Sequence, residues 1–68
     1  MNVQKILGAR IKRHRLAAAI SQEELGARMD LDQAYISRLE AGQMNPTVTT
    51  LQLIADSLGV EIQALFDK

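Results

Sequence analysis

The stretch that decides the fold covers residues 21–42 and reads SQEELGARMDLDQAYISRLEAG. Ser21 is followed three residues later by Glu24, and this capping box predicts the start of a helix that runs to about Met29. Two turn-prone acids then interrupt the apolar pattern, and Asp32 is placed to cap the next helix with its carboxylate. The stretch therefore predicts two short helices joined by a three-residue turn.

The two helices divide their residues between an apolar side and a polar side. The apolar side chains available for packing are Leu25, Met29, Leu31, Ile36 and Leu39. Gly26 lies where the helices should cross, because close packing there requires a small residue, although glycine lowers helix stability by about 1 kcal/mol relative to alanine. The residues of the second helix that the core does not need are Gln33, Ala34, Ser37 and Arg38. They are expected on one outward face.

The rest of the chain predicts three more helices around this pair. Apolar residues at a spacing of four predict an amphipathic helix from Val3 to about Ala18. Thr47 is placed to cap a fourth helix, which Gly59 should end. The apolar stripe of that helix comprises Val48, Leu51, Ile54, Ala55 and Leu58. A last short helix is predicted from about Glu61 to Phe66, so the expected fold is all-α, a compact five-helix bundle.

Size and composition limit what this chain can be. It has 68 residues, of which 47% are hydrophobic and 24% charged, and this predicts one folded domain over residues 1–68. It has no cysteine, which excludes a disulfide framework and a thiolate metal site. No apolar run approaches the roughly 20 residues that span a bilayer, and the N-terminus lacks the apolar core of a signal peptide. We therefore expect a cytoplasmic protein without a membrane partner.

Charge is distributed unevenly, although the formal net charge is zero. Residues 1–20 contain five basic and no acidic side chains, and the remainder contains three basic and eight acidic ones. A zero sum argues against strong non-specific attraction to phosphates, whereas a basic segment can supply a local phosphate-binding surface. A solvated basic helix face explains the same asymmetry. Charge alone therefore leaves both interpretations open.

Several short motifs follow one another along the chain: ISQEEL at 20–25, YISRLEAG at 35–42, NPT at 45–47, LGV at 58–60 and LF at 65–66. In this order and at these spacings the chain resembles the phage repressor and Cro family, also called XRE-type regulators, over nearly its whole length. That family includes restriction–modification controllers. The resemblance implies a repressor-like helix-turn-helix DNA-binding domain with its core at about 22–41. It also implies that a recognition helix at about 32–41 enters the major groove.

Base contacts are implied for the recognition helix. Gln33 and Ala34 match the family's main base-reading positions, where Gln33 can bind adenine with two hydrogen bonds and Ala34 can touch a thymine methyl group. Arg38 lies five residues beyond Gln33 on the same exposed side of the helix, where it can pair with guanine or bind a phosphate. Base contact is the favoured role for Arg38.

Other matched positions imply contacts to the DNA backbone. Gln22 opens the second helix, where the family binds a phosphate with side chain and helix N-terminus together, and an ordinary polar first-turn residue is the alternative. Ser37 and Tyr35 are candidate phosphate ligands through their hydroxyls, although Tyr35 can equally pack its ring against the protein. Asn45 and Thr47 match backbone-contacting positions after the recognition helix. Helix capping is the alternative role for Thr47.

Arg15 and Glu40 match a salt bridge between the first and third helices of the family, and this structural role excludes Arg15 from the DNA contacts.

Three positions depart from the family's pattern. Asp30 stands where relatives usually place a glycine with positive φ, a conformation that Asp tolerates better than most residues. Gly26 replaces the usual alanine, and Glu61 stands where a better helix cap is common. These departures bear on stability rather than on the fold.

A homodimer is expected because an isolated domain of this kind contacts only a few base pairs. Such regulators pair about a two-fold axis and read half-sites about 34 Å apart, so the expected partner is double-stranded DNA with a pseudo-palindromic operator. Leu53, Ile62 and Phe66 are candidate interface residues, because they supply apolar surface beyond the needs of the core. Burial in the core is the alternative for all three.

Two further functional classes compete with a transcriptional regulator. As an antitoxin or another interaction module, the chain would cover a partner protein with its apolar C-terminal surface. An enzyme is the least supported class, because the sequence offers no nucleophile with a base, no carboxylate pair and no phosphate-binding glycine loop. His14 and Lys68 belong to no catalytic or metal-binding set and are expected at the solvated surface. No cofactor is expected.

Overall fold

The computed structural model describes residues 2–67, which form only helices and loops. The four α-helices are α1 (Val3–Ala17), α2 (Gln22–Met29), α3 (Gln33–Glu40) and α4 (Val48–Leu58). A 3₁₀ turn, Ile62–Leu65, follows α4. The all-α prediction is confirmed, and the two helices of the deciding stretch begin and end close to their predicted bounds.

The prediction of a fifth α-helix over Glu61–Phe66 is wrong. The segment makes a single 3₁₀ turn of four residues, and within the described residues the Glu61 side chain makes no capping hydrogen bond. Its backbone bonds join residues three apart, from the Ala64 N–H to the Glu61 carbonyl and from the Phe66 N–H to the Gln63 carbonyl, both 3.0 Å. A short segment without a cap gains too few hydrogen bonds to offset the cost of nucleating an α-helix.

The helix ends of the deciding stretch follow the prediction in part. The Ser21 hydroxyl accepts a hydrogen bond from the Glu24 N–H at 3.0 Å, whereas the Glu24 carboxylate pairs with Arg28 instead of completing the capping box. Asp32 holds the N-cap position of α3, but within residues 2–67 its side chain makes no capping bond. Asp30 takes the left-handed conformation with φ 57°, as its place in the turn requires.

The core lies between the helices and receives side chains from every one of them and from the 3₁₀ turn. Its fully buried members are Ile11, Leu25, Ile36, Leu39, Ile54 and Leu65. Three residues expected in it are exposed instead: Val3 at 61%, Leu31 at 40% and Val48 at 74%. Val3 and Val48 are the first residues of their helices and Leu31 lies in the turn, so each projects beyond the element that would cover it.

The crossing of α2 with the turn before α3 depends on Gly26, as predicted. A Cβ atom at this position would lie 2.7 Å from the Leu31 carbonyl oxygen and 3.4 Å from the Gln33 nitrogen. Any larger residue would therefore push the start of α3 away from α2.

The 3₁₀ turn and the two residues after it, together called the C-terminal turn (residues 62–67), are held against α1 by hydrogen bonds to their backbone carbonyls. Arg10 donates to the Phe66 carbonyl, and Arg13 donates to the Asp67 carbonyl at 3.4 Å. The His14 Nε2 lies 3.1 Å from the Ala64 carbonyl oxygen, which can only accept, so Nε2 carries the proton. The expectation that His14 is a solvated surface residue is therefore wrong, and Lys68 lies outside the described residues.

Among residues 2–67, no helix combines the length and the apolar character that crossing a bilayer requires.

Candidate nucleic-acid interface

One face of α3 is polar and open to solvent. Gln33, Ala34, Ser37 and Arg38 are all exposed. Ile36, Leu39 and Glu40, on the opposite side, are buried. An α-helix with its side chains is about 10–12 Å in diameter, which matches the width of about 12 Å of the B-DNA major groove, and the eight residues of α3 can lie in that groove. The structure thus presents these four side chains on a helix that a major groove can accept.

The short turn between α2 and α3 sets the direction in which this face points. The Leu31 N–H donates to the Gly26 carbonyl at 2.8 Å, and the Asp30 N–H donates to the Ala27 carbonyl at 3.2 Å. These bonds close the end of α2 directly onto the turn. With the left-handed Asp30 they leave the chain little freedom before α3 begins at Gln33.

The other residues predicted to contact the DNA backbone lie in different environments. Tyr35 is half-buried and packs against the core, so its ring has the packing role given as its alternative. Asn45 is exposed in the loop after α3. The Thr47 hydroxyl accepts from the Thr50 N–H at 3.1 Å and thereby caps α4, which is the alternative given for that residue.

A buried ion pair joins the end of α3 to α1. The Arg15 guanidinium donates to the Glu40 carboxylate from Nε at 2.7 Å and from a terminal nitrogen at 3.0 Å, and it also donates to the Ile20 carbonyl at 2.9 Å. The two side chains are 8% and 3% exposed. The hydrogen bond to Glu40 raises the pKa of Arg15 above its ordinary value, and burial opposes that rise.

Gln22 connects this ion pair to the exposed face of α3. Its Nε2 donates to the Glu40 Oε1 at 3.1 Å, and its Oε1 accepts from the Gln33 Nε2 at 2.6 Å. Sequence reasoning missed both bonds. The only available signal was that Gln22 and Gln33 each open a helix, and that signal does not show that the two helix starts are neighbours.

Lys5 is a further residue that sequence reasoning did not assign to the site. A Cβ atom on Gly42, directly after α3, would lie 2.6 Å from the Lys5 Cγ and 2.7 Å from its Cα. The Lys5 stem therefore passes the start of the loop that carries Asn45, and the side chain is exposed. By contrast, Arg10 and Arg13 are engaged by the C-terminal turn, so the basic N-terminal segment is only partly available to a polyanion.

The predicted dimer residues lie on α4 and on the C-terminal turn. Leu53 is 48% and Phe66 51% exposed, whereas Ile62 is half-buried against the core. Phe66 borders an apolar groove of about 190 Å³ between α1 and the turn. The other residues that line this groove are Val3, Ile6, Leu7, Arg10 and Leu65.

Comparison with known proteins supports a helix-turn-helix regulator at three levels: the sequence profile, a related sequence and a related structure. The sequence profile of a family described as helix-turn-helix matches residues 11–65. An uncharacterised HTH-type transcriptional regulator of Sinorhizobium fredii, y4dJ, is 43% identical over 60 residues, which cover 88% of this chain and 78% of that protein. The restriction-modification controller protein C.AhdI from Aeromonas hydrophila has a structure with a TM-score of 0.89 and 32% identity, covering 93% of this chain and 96% of that one.

A second controller structure includes DNA. It is the C.Esp1396I tetramer in complex with its natural 35-base-pair operator, which has a TM-score of 0.83 and 33% identity and covers 93% of this chain and 83% of that one. The resemblance drawn from the sequence motifs is confirmed by the profile match and by these relatives. The chain therefore belongs to the helix-turn-helix family of XRE-type transcriptional regulators.

Proposed function

We propose that this protein is a sequence-specific DNA-binding transcriptional regulator that binds operator DNA as a homodimer, with α3 in the major groove. The observation that carries the proposal is the exposed polar face of α3, held by a buried ion pair on the opposite side of the same helix. An operator complex of a relative, C.Esp1396I, supports it.

The proposed contacts divide into those that read bases and those that position the protein. Gln33 and Arg38 read bases, and the exposed Ala34 next to Gln33 contacts a thymine methyl group. The proposed phosphate contacts come from Gln22, Ser37, Asn45 and Lys5, and from the hydroxyl of Tyr35, whose ring stays packed against the core. Thr47 is not among them, because its hydroxyl caps α4 and also donates to the Thr50 hydroxyl at 3.1 Å. Gln22 contributes one remaining amide hydrogen and the N-terminus of α2, because the rest of its amide is bonded within the protein.

We propose a homodimer because one molecule is too small to occupy two successive major grooves. The described chain measures 30 × 22 × 21 Å and offers one recognition helix, whereas successive major grooves on one side of the duplex are about 34 Å apart. Two copies related by a two-fold axis can fill both grooves. We propose that Leu53, Ile62 and Phe66 form the contact between them, since the first and last of these expose large apolar side chains.

Residues 1–68 would act as one DNA-binding domain, located in the cytoplasm with the DNA that it regulates. We propose no enzymatic activity and no cofactor, because the role assigned to every polar residue of the α3 face is binding.

The experiment that tests this function is selection of random DNA fragments by the purified chain, followed by fluorescence anisotropy on the enriched site. We expect enrichment of a pseudo-palindrome with half-site centres about 10 base pairs apart. Affinity should fall steeply between about 50 and 200 mM salt, because phosphate contacts release counterions. Equal affinity for every sequence at low salt would contradict the proposal.

The apolar groove beside Phe66 favours a second candidate, a protein partner such as the toxin of an antitoxin pair. Co-purification of the product of a neighbouring gene, with binding abolished by Phe66→Asp and DNA preference absent, would favour this candidate. Sequence-selective DNA binding by the isolated chain would favour the regulator.

A further inference from the structure

A chain of hydrogen bonds runs from the interior of the protein to the exposed face of α3. It begins at Arg15, passes through the Glu40 carboxylate and the Gln22 amide, and ends at the Gln33 amide. Its successive donor–acceptor distances are 3.0, 3.1 and 2.6 Å. The first two members are buried, and the last is exposed on the recognition helix.

In each hydrogen bond of this series, the donor and the acceptor can be assigned in only one way. A carboxylate can accept but has no proton to donate, so the Gln22 amide must turn its nitrogen toward Glu40 and its oxygen away. That oxygen can only accept, so the Gln33 amide must turn its nitrogen toward Gln22. A solvated glutamine amide, by contrast, rotates between both senses. The sense of the Gln33 amide is therefore decided by the charge of Glu40.

The Glu40 carboxylate that decides this sense is rigidly held. Arg15 occupies both carboxylate oxygens of Glu40 and is itself anchored to the Ile20 carbonyl. Because the Glu40 side chain is only 3% exposed, water does not compete for the Oε1 atom that Gln22 contacts. Glu40 thus cannot turn away from Gln22 without breaking the ion pair.

We propose that Glu40, acting through Gln22, is a positioning residue that sets the sense of the Gln33 amide and so narrows the base preference at the position that Gln33 contacts. The inference rests on the proposed function. With its nitrogen held by Gln22, Gln33 offers its oxygen and one remaining N–H in a single order. Adenine presents its N7 acceptor and its N6 donor in one order, so a fixed amide matches one placement of that base.

The test needs variants that break the chain of bonds without unfolding the protein. Gln22→Met keeps the length of the side chain and leaves the Arg15–Glu40 pair intact. The double variant Arg15→Met/Glu40→Met replaces the ion pair by apolar side chains of similar size, an exchange that proteins often tolerate. Gln63→Met changes an exposed glutamine on the C-terminal turn and serves as the matched control. Circular dichroism and thermal unfolding establish which variants are folded.

Two measurements report on the Gln33 amide. In the DNA-free protein, side-chain ¹H–¹⁵N NMR relaxation should show Gln33 to be more ordered than Gln63, and both test variants should remove that difference. On the selected operator, the ratio of Kd values for the altered and the native base pair at the Gln33 position should fall about five- to tenfold in both test variants, given the discrimination that one bidentate contact provides. Gln63→Met should change neither quantity.

Each alternative outcome has a distinct meaning. If both test variants keep an ordered Gln33 amide and an unchanged Kd ratio, the positioning role is wrong. If Gln22→Met weakens all sequences alike and keeps the ratio, Gln22 only anchors a phosphate, and the positioning role is again wrong. If the native protein has no sequence preference, the proposed function fails, and the NMR measurement still decides whether Glu40 orders the amide.

Discussion

The Arg15 guanidinium and the Glu40 carboxylate share two hydrogen bonds, of 2.7 and 3.0 Å, in the interior between α1 and α3. Glu40 is the last residue of α3, so this pair fixes the C-terminal end of the helix that presents Gln33 and Arg38. The Gln22 bond to the same carboxylate ties the start of α2 to it as well. One buried carboxylate therefore relates three helices to one another.

Breaking this pair should destabilise the protein. Arg15→Ala leaves Glu40 as a buried, unpaired charge, and we expect a loss of about 3–5 kcal/mol in the free energy of unfolding. Urea denaturation followed by circular dichroism measures it. Arg13→Ala is the control, because Arg13 is exposed and, among residues 2–67, its one side-chain hydrogen bond is to the Asp67 carbonyl at 3.4 Å. A loss no greater for Arg15→Ala than for Arg13→Ala would contradict the structural role of the pair.

Replacing Ala19 by glycine should stabilise the protein. It follows the end of α1 with φ 60°, a left-handed conformation that disfavours residues with a Cβ atom, and the Ile20 N–H closes the helix end by donating to the Arg15 carbonyl at 3.3 Å. We expect Ala19→Gly to stabilise the protein by about 0.5–1 kcal/mol, after allowing for the greater freedom of glycine in the unfolded chain.

The control for this prediction has the opposite sign. Ala9 is exposed in the middle of α1, and Ala9→Gly should destabilise the protein by about 0.5–1 kcal/mol. Thermal unfolding of the two variants side by side measures both effects. A shift of the melting temperature in the same direction for both would show that Ala19 is not strained.

Gly8 lies where the backbones of α1 and α3 approach each other closely. A Cβ atom there would lie 2.5 Å from the Leu39 carbonyl oxygen and 2.7 Å from that of Glu40. Backbone oxygens cannot rotate away as a side chain does, so Gly8→Ala should separate the helices at a cost of about 1–3 kcal/mol. Ala9→Ser, on the exposed neighbouring residue, should stay within about 0.5 kcal/mol in the same urea titration. Equal stability of the two variants would contradict the close contact.

Base reading should depend on two side chains of α3. Gln33→Ala and Arg38→Ala should each cost about 1–3 kcal/mol on the selected operator and relax the preference at one base pair. Fluorescence anisotropy with operators altered one base pair at a time measures both effects, with Gln63→Ala as the control. If Arg38→Ala instead weakens every operator alike and lowers the salt dependence by about one counterion, Arg38 binds a phosphate.

Dimerisation should depend on the exposed apolar residues near the C-terminus. Leu53→Glu and Phe66→Glu should each weaken self-association at least about tenfold, because burying a large apolar side chain contributes about 1.5–3 kcal/mol. Sedimentation equilibrium measures the dimer dissociation constant. Leu16→Glu is the matched control, since Leu16 is a large apolar residue that is 58% exposed and belongs to α1 rather than to α4 or the C-terminal turn. A monomeric native protein at high concentration, or an effect of Leu16→Glu alone, would place the contact elsewhere.

Local sequence accounts for much of the fold. Caps and breakers act within a few residues, so the ends of α2 at Ser21 and Asp30 and the end of α4 at Gly59 could be predicted from their neighbours alone. The spacing of apolar residues at intervals of three and four likewise predicts which side of α3 faces the solvent. The C-terminal turn is less predictable, because a short segment without a cap takes its conformation from the contacts that α1 makes with it.

By itself, the sequence determined that the chain is all-α, that α2 and α3 form a helix-turn-helix, and that Gln33 and Arg38 share an outward face, because each of these depends on periodicity and on residues close together in the chain. Only the tertiary structure decided that α1 holds the C-terminal turn with three basic side chains and that Gln22 joins Glu40 to Gln33. These bonds link residues up to 56 positions apart, and no local pattern encodes which side chains meet across such a distance.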